Sequence, residues 1–281
     1  MNINRLYSIF IRPFRHTANY IIVISAALIM LLPFLWMVLT SFKLRGEIVA
    51  FPPTFLPKNW TFENYYDAAN RLDLVRLYFN TAYVAVLKTV IHLYLSLLLG
   101  YAFGKLQFKG RDFIFYFILA TMILPFEVYM IPLYRMMVDL KIGDSHLALI
   151  VPMLFTAYAT FMMRQFMFTI PNDLIDAARV DGAGEWYIVN RIIMPICKPV
   201  LATMGSFYFM WNWNDFLWPL IVITTPSKQM LPVALSGFVA EHGFDFGLIM
   251  AGATLSVLPV LLVFIIFQRY VVEGIALTGL K

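Results

Sequence analysis

Pro171-Asn-Asp-Leu-Ile-Asp-Ala-Ala-Arg-Val-Asp-Gly-Ala-Gly-Glu-Trp186 is a polar stretch set between long apolar ones, and it reads as helix, turn, helix. Asn172 or Asp173 is placed to cap a first short helix, whose N-terminal dipole the acidic residues suit. Gly182 permits a backbone bend that a residue with a Cβ resists. The second helix continues to Ile192-Ile-Met-Pro195, where the proline limits it. Ala177, Ala178 and Ala183 are small enough to let another protein's backbone come close, while Asp176, Arg179 and Asp181 offer hydrogen bonds at the rim that fix register. This is docking chemistry. The alternative is an amphipathic hairpin lying on the bilayer surface.

On both sides of this hairpin the chain is apolar over a membrane's depth. Its 281 residues are 61% hydrophobic and 13% charged, with a mean hydropathy of +0.77, which places it in a bilayer. A helix needs about 20 apolar residues to cross about 30 Å of hydrocarbon. Six spans are expected, at about 20–42, 79–103, 113–134, 146–166, 200–223 and 246–270, so the fold class is an all-α polytopic membrane protein. Arg5, Arg12 and Arg15 precede the first span and put the N-terminus inside. Lys105, Lys109, Arg111, Arg164, Arg179, Arg191, Lys198 and Arg269 then share the cytoplasmic side, as do both termini. The first apolar run is too long for a signal-peptide core and shows no small-residue cleavage site, so it is expected to stay as an anchor. The expected organisation is a cytoplasmic segment 1–18, a first transmembrane helix 19–42, an external loop 43–77, a core 78–271 containing the cytoplasmic loop 169–198, and a cytoplasmic tail 272–281. In the external loop, Trp60 to Tyr66 opens a short surface helix, with Thr61 and Asn64 as cap chemistry.

The hairpin resembles the EAA loop of ABC importer permeases, whose pattern is Glu-Ala-Ala, two residues, Asp-Gly-Ala, then an apolar segment closing in Leu-Pro. Asp176-Ala177-Ala178 and Asp181-Gly182-Ala183 match it, with Asp176 in place of Glu, Val189 where Phe is frequent, and Met194 before the closing Pro195. Three more stretches resemble the carbohydrate branch, the relatives of the maltose permeases. These are Trp213-Asn-Asp-Phe-Leu-Trp-Pro-Leu220, then Leu258-Pro259 with Gln268-Arg-Tyr-Val-Val-Glu-Gly274, and the Gly143-Asp144-Ser145 turn. The resemblance implies a type I importer permease in a bacterial cytoplasmic (inner) membrane. It also implies a second permease subunit, expected to be a different chain, two ATPase subunits in which the loops Asp176 to Ala183 seat, and an external solute-binding protein. ATP and Mg would sit on the ATPase subunits, with no cofactor on this chain. A sugar or oligosaccharide is the implied substrate; a glycerol-phosphate-like or other polar solute is the alternative within the class.

Candidate substrate-path residues lie on the fifth span, where Tyr208, Trp211, Asn212, Asp215 and Trp218 recur at helical spacing on roughly one face, with Asn214 beside them. Aromatic platforms mixed with hydrogen-bonding groups suit sugars. Pro219 is expected to break or kink this helix in its outer third. The competing reading makes Trp218 an interface anchor and lets Asn212 and Asn214 bond to neighbouring helices. Lys88 and His92 on the second span and Glu127 on the third lie at depths where ionisable groups need partners. A depth count along straight helices sets Lys88 level with Glu127, which predicts a structural salt bridge between them. The sharper alternative points Lys88 into a cavity to meet an acidic sugar.

Other chemistries have little support in the residues. A phosphate-cradling Gly-x-x-x-x-Gly-Lys-Ser/Thr loop is absent from the sequence, so ATP is expected on another chain. Numerous methionines come without a His or Cys cluster, which argues against a metal site. The single Cys197 cannot form an intramolecular disulfide, and the net charge of +5 without a basic block gives no footing for nucleic acid. A membrane-embedded enzyme would need a buried nucleophile context that is missing. An ion-coupled secondary transporter would need broken helices in both halves, and only one proline-interrupted segment of that kind is evident.

Overall fold

The computed structural model describes residues 12–242 and 245–279, with side-chain surroundings at 19–237 and 245–269. Among the described residues the regular elements are all helical. In chain order they are α1 (Arg12–Ser41), α2 (Glu63–Arg71), α3 (Leu74–Lys105), α4 (Arg111–Ala120), α5 (Phe126–Asp139), α6 (His146–Ile150), α7 (Ala157–Met167) and α8 (Asn172–Val180). There follow α9 (Glu185–Ile196), α10 (Lys198–Trp213), α11 (Leu217–Val222), α12 (Leu231–His242) and α13 (Phe246–Gly279). The chain divides into two compact units, Met1–Arg71 with Val239–Leu255, and Leu72–Phe238 with Ser256–Lys281.

Among the described residues, three helices are individually long and apolar enough to cross a membrane, Asn19–Ser41, Leu74–Lys105 and Phe246–Arg269, and three bent helix pairs bring the number to six if each pair is one span. The apolar runs predict continuous helices for these spans, apart from the break expected near Pro219. Instead α4, extended to Ile123, meets α5 at 104°, the α6 segment ending at Met153 meets α7 at 47°, and α9 meets the α10–α11 segment at 79°. Proline chemistry explains the first. Pro125 is extended at ψ 142°, and Leu124 before it is held extended at ψ 115°, as a residue preceding proline prefers. In the fifth span the break falls at Asn214, Asp215 and Phe216 rather than at Pro219, which sits in the first turn of α11 where its missing N–H costs little. Helix α12 was not anticipated. The expected N-terminal segment lies outside the described residues through residue 11, and α13 continues to Gly279.

In the first unit, Phe42 gathers the rings of Trp60, Phe62 and Tyr65. Asn64 is not a cap. It is buried and donates to the Ser41 and Lys43 carbonyls at 2.9 and 2.8 Å, while Thr61 accepts from the Glu63 N–H at the start of α2. Arg45 pairs with Asp245 at 2.7 Å.

The second unit is built on α3, which packs against α7 and α10. Gly100 and Gly104 let α7 come flush: a Cβ on the first would lie 2.5 Å from Met163 Cβ, and one on the second 2.8 Å from Met167 Cβ. Such a small-residue seam is how helices approach closely without a hydrophobic driving force. Where this seam ends, buried Arg164 donates to the Phe103 carbonyl at 3.1 Å and to Asp112 at 2.8 Å, with its guanidinium 3.9 Å over the Phe115 ring. At the opposite end of α3, Asp144 staples a loop: its carboxylate accepts from the Thr224 and Thr225 N–H groups at 2.9 and 3.0 Å and pairs with Lys228 at 3.2 Å. Asn80 donates to the Ser227 and Gln229 carbonyls of that loop, each at 3.1 Å. These donors hold the Asp144 carboxyl well below the ordinary carboxylate range, the Thr225 hydroxyl first among them.

Candidate coupling hairpin and intramembrane polar cluster

Helix α8 closes the way its sequence suggests at one end and differently at the other. Gly182 takes φ +83°, and the Ala183 and Gly182 N–H groups reach back to the Ala178 and Arg179 carbonyls at 2.9 and 3.0 Å. This is a Schellman closure with glycine in the left-handed position. At the start, Pro171 occupies the cap position and no side chain caps the helix. The carbonyl oxygen of the Asn172 side chain instead accepts from Lys105 Nζ at 2.8 Å, and the Ile170 carbonyl accepts from the same amine. Helix α9 runs past Pro195 to Ile196 because Ile188–Ile193 is wound as a π-helix, which loosens the turn the proline ring would otherwise strike.

The hairpin residues divide between two faces. Ile175 and Ala178 are buried against the core that includes Ile188, Val189 and Ile193, so the small Ala178 side chain packs inward. Asp176, Ala177, Val180, Asp181, Gly182 and Trp186 are exposed, and Ala183 is half-buried. Arg179 ties the hairpin to itself, donating to Asp176 at 3.1 Å and to Glu185 at 2.8 Å. The bond to Glu185 is the first cause of a raised Arg179 pKa. From α3, the Tyr101 hydroxyl donates to the other oxygen of Glu185, and the Tyr94 hydroxyl donates to Asn190 at 3.2 Å.

The intramembrane charges pair differently from the sequence expectation. Lys88 bonds Asp215 at 3.0 Å, with side-chain exposures of 4% and 18%. Glu127 is exposed on the first turn of α5, beyond the 104° bend. The depth count behind a Lys88–Glu127 bridge assumed a straight third span, and the bend removes that premise. Lys88 therefore does not face a cavity as a lone amine. Beside this pair, Asn212 donates to Thr89 at 3.0 Å, His92 Nε2–H donates to the Met153 carbonyl, and the Tyr208 and Thr156 hydroxyls lie 2.6 Å apart. The His92 and Tyr208 rings are 5.1 Å apart.

The fifth-span residues do not form one face. Tyr208, Asn212 and Asp215 turn toward α3 and α7 partners. Trp211 is 77% exposed, and the exposed Asn214 donates back to Met210 in its own helix. Trp218 is neither platform nor interface anchor: it is buried, with its indole N–H on the Ala148 carbonyl at 3.0 Å and Phe126 edge-on to its ring. Thr89, Thr156, Tyr94, Tyr101, Glu185 and Asn190 were missed. The sequence signal for α3 was present, since Thr81, Lys88, His92 and Ser96 recur at spacings of seven and four along an otherwise apolar helix.

Comparison with known proteins places this geometry. The family model described as "Binding-protein-dependent transport system inner membrane component" matches residues 96–276. The arabinooligosaccharides transport system permease protein AraQ of Bacillus subtilis (strain 168) is 34% identical over 258 residues, covering 91% of this chain and 92% of that protein. The sn-glycerol-3-phosphate transport system permease protein UgpE of Brucella abortus (strain 2308) is 30% identical over 276 residues, covering 95% and 98%. Among solved structures, a chain of a bacterial ABC transporter involved in the import of the acidic polysaccharide alginate superposes with a TM-score of 0.81 at 23% identity, covering 92% of this chain and 96% of that one.

Proposed function

This chain belongs to the family of inner-membrane components of binding-protein-dependent transport systems, and on that premise we propose that it is a permease subunit that moves a neutral sugar or oligosaccharide into the cytoplasm. It works beside a second permease, with a solute-binding protein delivering substrate outside and two ATPase subunits, which carry ATP and Mg, inside. The hairpin 169–198 faces those ATPases, both termini are on the cytoplasmic side, and the loop 43–77 is outside. The observation that carries the coupling role is the two-sided hairpin. Its inner face is sealed by Ile175 and Ala178, Arg179 ties its exposed side to Asp176 and Glu185, and its tip, Asp181 and Gly182 with Val180, is left uncovered.

A sugar is favoured by the names of relatives such as AraQ and the lactose transport system permease protein LacG of Rhizobium radiobacter, 32% identical. Exposed Trp211 and Asn214 and the partly exposed Asp215 at the fifth-span break are the surface we assign to the path. Polar groups and open backbone at such a depth are tolerated where they line a cavity. Neutral substrates are favoured over anions because the Lys88 charge is already met by Asp215. A glycerol-phosphate-like solute is the second reading, supported by the UgpE relative.

The test is substrate-stimulated ATPase of the complete assembly in lipid, intact and with Gly182→Pro or Asp181→Lys. Loss of stimulation in an assembly that still inserts is the expected result. Unchanged hydrolysis and transport in both variants would reduce the hairpin to a surface element.

A further inference from the structure

Three polar contacts run from α3 to the hairpin. Tyr94 reaches Asn190, Tyr101 reaches Glu185, and Lys105 reaches Asn172 and the Ile170 carbonyl. Residues 94, 101 and 105 are spaced by seven and four, so they stand on one face of α3. Another face of the same helix carries Lys88, Thr89 and His92, bonded to Asp215, Asn212 and Met153. At Gly100 and Gly104 the helix is locked flush to α7. A rigid rod therefore touches the hairpin at its cytoplasmic end and the polar cluster within the membrane.

The middle contact differs from the other two. Tyr101 is 2% exposed and bonds one oxygen of Glu185, whose other oxygen takes Arg179 at 2.8 Å. Arg179 in turn holds Asp176 at 3.1 Å. The chain Tyr101, Glu185, Arg179, Asp176 thus joins the buried side of α3 to the exposed carboxylate of Asp176 on α8. A carboxylate gripped from both sides by a hydroxyl and a guanidinium has a fixed position, because charge-assisted bonds are short and directional.

We propose that Tyr101 and Glu185 form the strut through which hairpin movement is passed to α3, so that they are positioning residues for coupling, not contacts to ATPase or solute. This rests on the permease reading above. In Tyr101→Phe the ring still fills its buried site and Glu185 keeps its bond to Arg179, so the hairpin stays folded and docked. What is lost is the pull on α3.

The experiment uses the complete assembly, with both permeases, both ATPases and the binding protein, in proteoliposomes loaded with ATP. Uptake of radiolabelled arabinotriose, lactose and sn-glycerol-3-phosphate is screened, and uptake of the solute carried is measured together with ATP hydrolysis for the intact chain, Tyr101→Phe and Glu185→Gln, with Tyr94→Phe as a control at the weaker contact. Solute moved per ATP is expected to fall roughly tenfold in Tyr101→Phe, the effect on an equilibrium of removing one hydrogen bond to a charged acceptor. Glu185→Gln, which loses charge on both bonds, is expected to fall at least as far, and Tyr94→Phe to remain near the intact ratio. Co-purification of the ATPases should be unchanged in all three. An unchanged ratio in Tyr101→Phe and Glu185→Gln overturns the strut, as does loss of ATPase binding, which would make the contact merely architectural. If the intact assembly shows no ATP-dependent uptake of any solute, the permease reading itself fails, and the strut with it.

Discussion

Replacing Lys88 by Met tests the pairing at the centre of the membrane-spanning part. Two unit charges 3.0 Å apart attract by about 5 kcal/mol at an effective dielectric near 20, and desolvation of the buried ammonium offsets part of this. Breaking such a pair leaves the partner charge behind, which costs about 3 to 5 kcal/mol when that partner is fully enclosed. Asp215 retains 18% side-chain exposure, so the lower end, about 3 kcal/mol, is the expected cost. That corresponds to a fall of roughly 6 to 12 °C in an apparent melting midpoint. Cys197 supplies the probe, being the only cysteine of the chain and fully buried. Its labelling by a thiol reagent against temperature, read by the mass of its peptide from the purified assembly, reports opening of this chain among its partners. Adding Asp215→Asn to Lys88→Met removes the stranded charge and should recover at least half of the loss, whereas adding Glu127→Gln should recover none. Rescue by Glu127→Gln and not by Asp215→Asn would refute the pairing.

Gly100→Ala should lower the same midpoint, because its Cβ would meet Met163 Cβ at 2.5 Å and the Met163 backbone at 2.9 Å, an overpacking cost of about 1 to 3 kcal/mol; Gly46→Ala, with open space around it, is the matched control. The Asp144 staple predicts a pH dependence. Its folded pKa is depressed, so its stabilisation is complete above the unfolded value of about 3.9 and fades as pH falls below that toward the folded value. Amide exchange at Thr224 and Thr225 should stay protected near pH 5 and rise only in stronger acid, while Asp144→Asn should raise exchange at every pH.

The class of the molecule was legible from its apolar runs, and the hairpin from a few residues, because a glycine required at positive φ and a run of small and acidic residues are local signals. Gly182 sits at φ +83° for the reason its sequence context suggested. Partners across the fold were less legible. Lys88 was matched to Glu127 by counting along straight helices, and the count failed where Pro125 turns the chain through 104°. Trp218 looked like a platform because helical spacing was carried through Asn214 to Phe216, where the helix stops. Asn172 had the chemistry of a cap, but Lys105, distant in sequence, claimed its oxygen. In each case an interruption of the helix or a partner from another helix changes which way a side chain faces; the Pro125 turn was marked locally by its proline, whereas a partner from a distant helix is not written in the local pattern.

The corner at Cys197 has a mechanical meaning. Helix α9, Glu185–Ile196, and the segment that begins at Lys198 meet there at 79°, with Pro195 and Pro199 on either side and the cysteine wholly enclosed. Two stiff arms at nearly a right angle make a bell crank. At 1.5 Å per residue the arms are at most about 18 Å to the start of the partly π-wound α9 and roughly 24 Å to the end of α10. A rotation of about 5° at the corner would sweep the short tip by roughly 1.6 Å and the long tip by roughly 2 Å in a perpendicular direction. The long tip ends beside Asp215, so such a rotation would displace the point where the fifth span breaks.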